Sequence, residues 1–436
     1  MIQQCEKYWA LLQRFYDRVK DWDCVVLVPL VLLALCKIVG HVYWRWTDHV
    51  AFPPAADSQW YLDYAHGLLT NFSIGFHMDD ILYFGYNSLL ALLLAIFKEP
   101  IAILFVQAVT TSFSIILVYK IAKMLFNKTT AIIASLMYYN MWEITLWTLY
   151  ILSDSFFISL QLLCVYLLLT ALQSGRAKDR ALFCLCAVYM AFFRPTGILT
   201  LTFMLLYLAL RKSPASWRRF LTRYRMLLGA LMVLALGGGA YCYHYGKLAP
   251  FVQSFDYNAK LVLYNVYAKG WIYDVPTPYD HFFKPDYTIN PGSGLAVSFV
   301  VNNWNDVLIL YGKRMLSFWG KWIWEIDIRS YAGFLLLLWN LQLPVLFIAG
   351  TVAAVRNRLF QRASVLWLVI LAVWIFCTVL FIDAMYRYRA PAVPYICIIA
   401  AYGGERILTC LAVWVKTHMR VLAYEERENP DCHSGL

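Results

Sequence analysis

The chain has 436 residues, of which 61 % are apolar, 17 % aromatic and only 14 % charged. Soluble globular proteins have roughly 45–50 % apolar and about 25 % charged residues, so this composition excludes a soluble enzyme, a disordered protein and a collagen-like fibre. The formal charge of +11 comes from 37 basic and 26 acidic side chains. An excess of positive charge indicates either binding to nucleic acid or contact of membrane loops with anionic lipid, and the positions of the charges decide between the two.

Apolar runs long enough to cross a bilayer, which takes about 20 residues, recur along the chain. They lie at 24–44, 101–126, 131–149, 155–172, 226–243, 331–355, 363–382 and 390–413. The apolar stretch 181–210 is interrupted by Arg194-Pro195, which predicts two short helices that meet at a corner or, as the alternative, one kinked helix whose Arg194 reaches back to the membrane surface. We therefore predict an all-α polytopic membrane protein, a bundle of about ten transmembrane helices.

Basic clusters alternate with these runs and orient them. Clusters without matching acids lie at 7–20, 120–128, 176–180, 211–225, 356–362 and 406–427. The positive-inside rule places all of them, and both termini, in the cytoplasm. The excess positive charge therefore reflects topology rather than binding of nucleic acid. With this orientation the short run 81–97 cannot cross, and it is predicted to be a juxtamembrane or re-entrant helix of the first outer loop.

The predicted topology divides the chain into three parts. Residues 1–243 form an N-terminal transmembrane module that contains the first outer loop, 45–100. Residues 244–330 form a large outer loop with aromatic juxtamembrane segments, and residues 331–436 hold the C-terminal transmembrane helices and a basic cytoplasmic tail. The outer segments 45–100 and 244–330 contain no cysteine, so no disulfide framework is expected there.

The first outer loop carries the most informative carboxylate. Pro53-Pro54 is followed by a helical pattern from Ser58 to Leu69, which predicts Asp57 as the N-cap residue. Its carboxylate either bonds the free N–H groups of the first turn or serves as a general base, and a fixed carboxylate beside the membrane suits both roles. Asp63 is a weaker candidate in the same helix.

A second cluster, Tyr386-Arg387-Tyr388-Arg389, lies between two predicted spans on the outer side. Arginines are costly next to lipid and are disfavoured on this face, so Arg387, Arg389 and Arg194 call for an anionic ligand or for paired acids. A guanidinium suits phosphate oxygens.

Pairing of these arginines with acids remains an alternative to phosphate binding. Asp383 and Asp154 are the candidate partners. Asp154 opens the predicted span 155–172, where it is an N-cap, an arginine partner or a site acid. No His, Cys, Asp and Glu set has ligand spacing, so neither a metal site nor another cofactor is expected.

Five short motifs, taken in order, resemble the class C glycosyltransferases, in particular the superfamily of protein O-mannosyltransferases and lipid A aminoarabinose transferases. They are Asp57-Ser58 with Tyr61 and Ala65, Phe84-Gly85-Tyr86-Asn87-Ser88, Leu152-Ser153-Asp154-Ser155, Phe193-Arg194-Pro195-Thr196-Gly197, and Tyr386-Arg387-Tyr388-Arg389-Ala390-Pro391. The chain departs from the family where Ser58, rather than the frequent glutamate, follows Asp57.

The resemblance implies an inverting glycosyltransferase that moves a sugar from a polyprenyl-phosphate donor to a hydroxyl of a lipid, glycan or protein. Asp57 would be the general base. Arg387, Arg389 and Arg194 would bind the donor phosphate. Tyr61, Asp63, Asp154 and Tyr386 would bind or support the substrates. Membrane lipids surround the chain, and the site would face the outer side of a bacterial inner membrane.

The sequence leaves two other functions open. A transporter or flippase of a lipid-linked sugar is expected to show related halves and several charges within its spans, and neither feature is evident. An O-antigen ligase or polymerase also uses arginines on the outer face, but the early position of the Asp57 loop disfavours it.

Overall fold

The structure is a computed structural model that describes residues 22–53, 55–211, 214–262, 281–289, 295–320, 329–380 and 385–428. In these ranges every regular element is helical. The α-helices are α1 (Asp23–Thr47), α2 (Ala56–Asn71), α3 (Met78–Leu82), α4 (Phe84–Phe97), α5 (Pro100–Leu125), α6 (Lys128–Asn140), α7 (Trp142–Leu146), α8 (Ser153–Ser174), α9 (Ala177–Ala191), α10 (Pro195–Arg211), α11 (Pro214–His244), α12 (Ala249–Val262), α13 (Leu295–Asn302), α14 (Trp304–Ser317), α15 (Tyr331–Arg356), α16 (Phe360–Ile375), α17 (Met385–Arg389) and α18 (Val393–Glu428).

Six stretches of the described chain are helical, long and apolar enough to cross a membrane. They are Asp23–Thr47, Pro100–Leu125, Ser153–Ser174, Tyr331–Arg356, Phe360–Val379 and Met385–Trp414. Each coincides with an apolar run predicted from the sequence, and α4 and α10 are shorter apolar helices. The prediction of an all-helical, multi-pass integral membrane protein is therefore confirmed.

The predicted run 131–149 is not a single helix. α6 ends at Asn140, Met141 adopts an extended conformation, and α7 and a 3-10 turn at Trp147–Leu149 complete the stretch. Glu143, in the first turn of α7, is only 1 % exposed. The prediction of a continuous span was wrong here. Hydropathy averaged over residues 131–149 is little affected by the helix break at Met141 or by the single acid Glu143.

The first outer loop folds onto the corner that carries Arg194. The backbone N–H of Gly85, at the start of α4, donates to the carbonyl of Phe192 at 2.7 Å. A Cβ on Gly85 would lie 3.0 Å from that carbonyl oxygen, so the close approach favours glycine. Tyr189 adds a hydrogen bond from its hydroxyl to the carbonyl of Gly85 at 2.9 Å. The contact fixes α4 against the break between α9 and α10.

Two glycines bring α15 and α18 together. A Cβ on Gly350 would lie 2.0 Å from the carbonyl oxygen of Ile399, and one on Gly403 would lie 2.2 Å from the carbonyl oxygen of Leu346. Small residues allow membrane helices to approach this closely, and dispersion contacts then stabilise the pair. This packing holds α18 in place. Because only the 3-10 turn at Ala390–Ala392 separates α17 from α18, it also holds α17.

Candidate active site

Arg387 lies at the centre of a chain of charges that joins four distant parts of the sequence. Its Nη1 donates to Oδ2 of Asp57 at 2.7 Å, and its Nε donates to Oδ2 of Asp154 at 3.0 Å. The other carboxylate oxygen of Asp154 accepts a hydrogen bond from Nη1 of Arg194. Asp57, Asp154, Arg194 and Arg387, hereafter the charge cluster, are therefore in direct contact.

Each carboxylate of the charge cluster comes from the first turn of a helix. Asp57 lies in the first turn of α2 and Asp154 in the first turn of α8, where the helix dipole favours negative charge. The prediction that Asp57 is the N-cap was wrong. Ala55 is the N-cap of α2, no side chain bonds the first-turn N–H groups, and the carboxylate of Asp57 points to Arg387 instead. Helix boundaries read from sequence shift by one or two residues in this way.

The arginines come from breaks between helices. Arg194 lies between α9 and α10, directly before Pro195, and Arg387 lies in the short α17. Of the alternatives left open for Asp154, the structure selects the arginine partner, since its carboxylate contacts both Arg194 and Arg387. Asp383, the other candidate partner, lies outside the described residues.

Exposure to solvent rises steadily along the charge cluster. The side chains of Asp154 and Arg194 are 0 % and 1 % exposed, that of Arg387 is 14 % exposed and that of Asp57 is 46 % exposed. The buried end is a fixed ion pair and the open end is a carboxylate that an incoming molecule can reach. This gradient suits a carboxylate that exchanges protons with a substrate.

Several guanidinium donors in the charge cluster remain without acceptors. Nε and Nη2 of Arg194 are buried, and neither has a hydrogen-bond partner among the described residues. Nη2 of Arg387 also makes no hydrogen bond within the described ranges. A buried donor without an acceptor costs about 1–3 kcal/mol. These donors therefore indicate a place for an anion or for ordered water.

Aromatic rings enclose the charge cluster. The guanidinium carbons of Arg194 and Arg387 lie 4.7 Å and 5.3 Å from the ring centroid of Tyr388. Tyr61, one helical turn after Asp57 on α2, is 2 % exposed and packs edge-on against Tyr86 with ring centroids 4.8 Å apart. Burial raises the pKa of the Tyr61 phenol well above its usual range, so the group stays neutral at physiological pH.

Arg389 and Tyr386 contact residues outside the charge cluster. Nη2 of Arg389 donates to Oε1 of Glu143 at 2.5 Å, and its Nη1 donates to the carbonyl of Phe318 at 2.8 Å. The ring of Tyr386 lies edge-on to that of Trp142, with centroids 5.5 Å apart. The structure therefore does not bring Arg389 together with Arg387 and Arg194, although the sequence analysis placed all three at one phosphate.

Two further sequence expectations concern Asp63 and a metal. Asp63 is exposed and accepts a hydrogen bond from Gln59 at 2.8 Å, on a face of α2 away from Arg387. In the described ranges no group of three or more His, Cys, Asp and Glu side chains is placed to hold a metal ion.

Glu143 is a buried charged residue that the sequence analysis missed. The signal that could have found it is a single carboxylate in a stretch otherwise rich in apolar and aromatic residues, since charges inside such runs are costly and are retained for a partner or a function.

An apolar groove begins beside the charge cluster. Its volume is about 520 Å³, and residues of α4, α5, α8 and α9 line it together with Phe193. Phe156, two residues after Asp154, and Phe193, which precedes Arg194, form part of this lining. Two residues of the groove lining are therefore close in sequence to residues of the charge cluster.

A multi-pass helical protein with a carboxylate and arginine cluster beside an apolar groove has the features of a membrane glycosyltransferase with a lipid-linked sugar donor. Residues 84–237 match the model of the dolichyl-phosphate-mannose-protein mannosyltransferase family, a family of glycosyltransferases. The matched segment contains Asp154 and Arg194, whereas Asp57 and Arg387 lie on either side of it. No curated protein matches the chain.

Proposed function

We propose that the chain is an inverting glycosyltransferase in which Asp57 is the general base and Arg387 and Arg194 bind the donor phosphate. The observation that carries the proposal is the contact between Asp57 and Arg387, at 2.7 Å, in a part of the site open to solvent. The contact supports the proposal because sugar transfer from a phosphate leaving group requires a carboxylate that can accept a proton beside a group that can bind phosphate.

In the proposed step, Asp57 takes the proton of an acceptor hydroxyl while that oxygen attacks the anomeric carbon of the donor sugar. The bond between the anomeric carbon and the phosphate oxygen breaks, and polyprenyl phosphate leaves with the electron pair. Attack opposite the leaving group inverts the anomeric configuration. Oδ2 of Asp57 is held by Arg387, and Oδ1 accepts no hydrogen bond in the described ranges, so Oδ1 is the oxygen assigned to the proton.

The leaving phosphate gains negative charge as the sugar departs. A guanidinium has five N–H donors, and Arg387 uses only two of them, at Nε and Nη1. Its Nη2 and the unpartnered donors of Arg194 are the groups proposed to hold the phosphate oxygens. Preorganised donors of this kind contribute about 3–4 kcal/mol each in a site that excludes water.

Asp154 is proposed to position both arginines rather than to take part in proton transfer. It is fully buried, and each of its oxygens is bonded to a different guanidinium. Tyr61, on the same face of α2 as Asp57, forms an uncharged wall of the site. We assign Arg389 and Tyr386 not to the substrates but to the contacts with Glu143 and Trp142, respectively.

The groove beside Phe193 is proposed to hold the polyprenyl tail of the donor. Its lining is almost entirely apolar, and Ser114 and Ser159, which do line it, bond to each other at 2.8 Å. A tail in this groove would place its phosphate near Arg194. The lipid would enter sideways from the membrane.

The predicted topology completes the proposal. Six described helices are long enough to cross a membrane, and about ten crossings require shorter helices such as α10 to contribute. The division at residues 1–243, 244–330 and 331–436 and the outward orientation of the site follow from the basic clusters. A bacterial inner membrane and a hydroxyl acceptor on a lipid, glycan or protein remain part of this proposal.

Asp57→Asn tests the assignment of the base, and Asp63→Asn is the matched control on the exposed face of the same helix. Cells that lack the gene are complemented with each variant, and mass spectrometry follows membrane lipids and glycans. We expect Asp57→Asn to lower transfer by roughly 10²–10⁴-fold, with accumulation of a polyprenyl-phosphate sugar, because the general base is lost. Asp63→Asn is expected to restore the wild-type pattern. Full complementation by Asp57→Asn would refute the assignment.

A further inference from the structure

We propose that Glu143 is a positioning residue that acts through Arg389 to hold Arg387 in the site. The inference rests on the proposed function, because it concerns the placement of the phosphate-binding arginine. Among the described residues, Glu143 forms its ion pair with Arg389 and not with any of the four residues of the charge cluster.

The contact between Glu143 and Arg389 is buried on both sides. The two side chains are 1 % and 9 % exposed, and Nη2 of Arg389 lies 2.5 Å from Oε1 of Glu143. A buried carboxylate is costly unless it is paired, and Arg389 is the cation that pairs with Glu143. The charge of Arg389 is therefore neutralised locally, which leaves Arg387 and Arg194 to bind the phosphate.

α17 has five residues, little more than one turn, and continues through the 3-10 turn at Ala390–Ala392 into α18, which fixes its C-terminal end. The contacts of its side chains then decide the direction in which Arg387 points. Arg387 and Arg389 are two positions apart, so their side chains leave the helix about 200° apart. One arginine can therefore face Asp57 while the other holds the helix from the opposite side.

α7 and the end of α14 provide these contacts. Glu143 lies in the first turn of α7, and its neighbour Trp142 packs edge-on against Tyr386 of α17. The carbonyl of Phe318, directly after α14, accepts a second hydrogen bond from Arg389 at 2.8 Å. Three contacts thus fix α17, and a shift of this short helix would move Arg387 relative to Asp57.

A double-mutant cycle between Glu143 and Arg387 tests the inference, since the two residues share no contact. The four proteins are wild type, Glu143→Ala, Arg387→Lys and the double variant. The measured quantity is the half-saturation concentration for crosslinking of a photoactivatable polyprenyl phosphate to each full-length protein in membranes. A variant that folds poorly gives less crosslinked protein without a change in half-saturation.

We expect Glu143→Ala to raise the half-saturation concentration about tenfold in the presence of Arg387, because the arginine is displaced. In the Arg387→Lys background the same substitution is expected to change it by less than about twofold, the usual limit for independent effects. Glu143→Gln keeps an amide oxygen that accepts from Arg389 but removes the negative charge, so we expect its half-saturation concentration to lie between those of wild type and Glu143→Ala. If Glu143→Ala does not accumulate, Arg389→Lys takes its place in the cycle.

The outcomes separate this inference from the proposed function. If Arg387→Lys weakens binding but Glu143→Ala weakens it by the same factor in both backgrounds, Glu143 does not act through Arg387 and the inference is overturned alone. If Arg387→Lys binds polyprenyl phosphate as well as wild type does, the proposed phosphate site is wrong, and the inference fails with it.

Discussion

Asp154→Asn is the substitution that bears most directly on the charge cluster. The carboxylate is fully buried and contacts two guanidiniums, one of them Arg387 at 3.0 Å. At an effective dielectric constant of about 20, opposite unit charges at that separation attract by about 5.5 kcal/mol. The amide keeps the shape of the side chain and one oxygen acceptor but removes the charge that Arg194 and Arg387 share.

We expect Asp154→Asn to lower the free energy of unfolding by about 3 kcal/mol, the lower end of the range for a broken buried ion pair, because Asp57 still pairs with Arg387. The measurement is the apparent melting temperature of purified protein in detergent. The double variant Asp154→Asn/Arg194→Met removes one charge of each sign, so it is expected to regain much of the lost stability. It is not expected to regain transfer, because Arg194 is a proposed phosphate ligand.

Asp63→Asn is again the control, since this carboxylate is exposed and bonded only to Gln59 among the described residues. Two results would refute the reasoning. One is an Asp154→Asn protein as stable as wild type, which would mean that the buried carboxylate does not offset the arginine charges. The other is a double variant less stable than Asp154→Asn alone, which would mean that Arg194 is not the group left unpaired.

Two other substitutions test the tail groove and the helix packing. Ser159→Trp fills the groove, so we expect it to weaken crosslinking of long-chain polyprenyl phosphate while a short-chain analogue binds as before; equal loss for both chain lengths would contradict the tail assignment. Gly350→Leu forces a side chain against the carbonyl of Ile399, and we expect it to lower the stability of the protein in detergent by about 1–3 kcal/mol. Gly40→Leu is the control and is expected to be tolerated, because Gly40 has open space around it. Equal melting temperatures for the two glycine variants would contradict the role of Gly350 in helix packing.

The sequence predicted the open end of the site better than its buried end. Asp57 was identified from its position at a predicted helix start in the first outer loop, and Arg387 because arginines are disfavoured on the outer face; the structure brings the two into contact. Arg194 was found for the same reason, from its position at a proline break. What sequence could not decide was the pairing of Asp154, because a carboxylate at a helix start is equally well explained as a cap.

Glu143 was missed because hydropathy is averaged over windows. Residues 131–149 are apolar enough to suggest one span, and a single acid changes that average little. The structure separates the stretch into α6, α7 and a 3-10 turn, and it places the acid opposite Arg389. Only a contact between residues 246 positions apart in the chain explains why the acid is there, and one sequence contains no record of that contact.

Arg387 and Arg389 illustrate why a motif alone does not assign roles. Both belong to Tyr386-Arg387-Tyr388-Arg389, and both are paired with a carboxylate, yet the partners differ in exposure. Asp57, which pairs with Arg387, is 46 % exposed, whereas Glu143, which pairs with Arg389, is 1 % exposed. The partner of Arg387 is thus open to solvent, whereas the partner of Arg389 is enclosed. Two arginines of one motif therefore lie in different surroundings, and the donor-binding role proposed for Arg387 and the positioning role proposed for Arg389 rest on that difference.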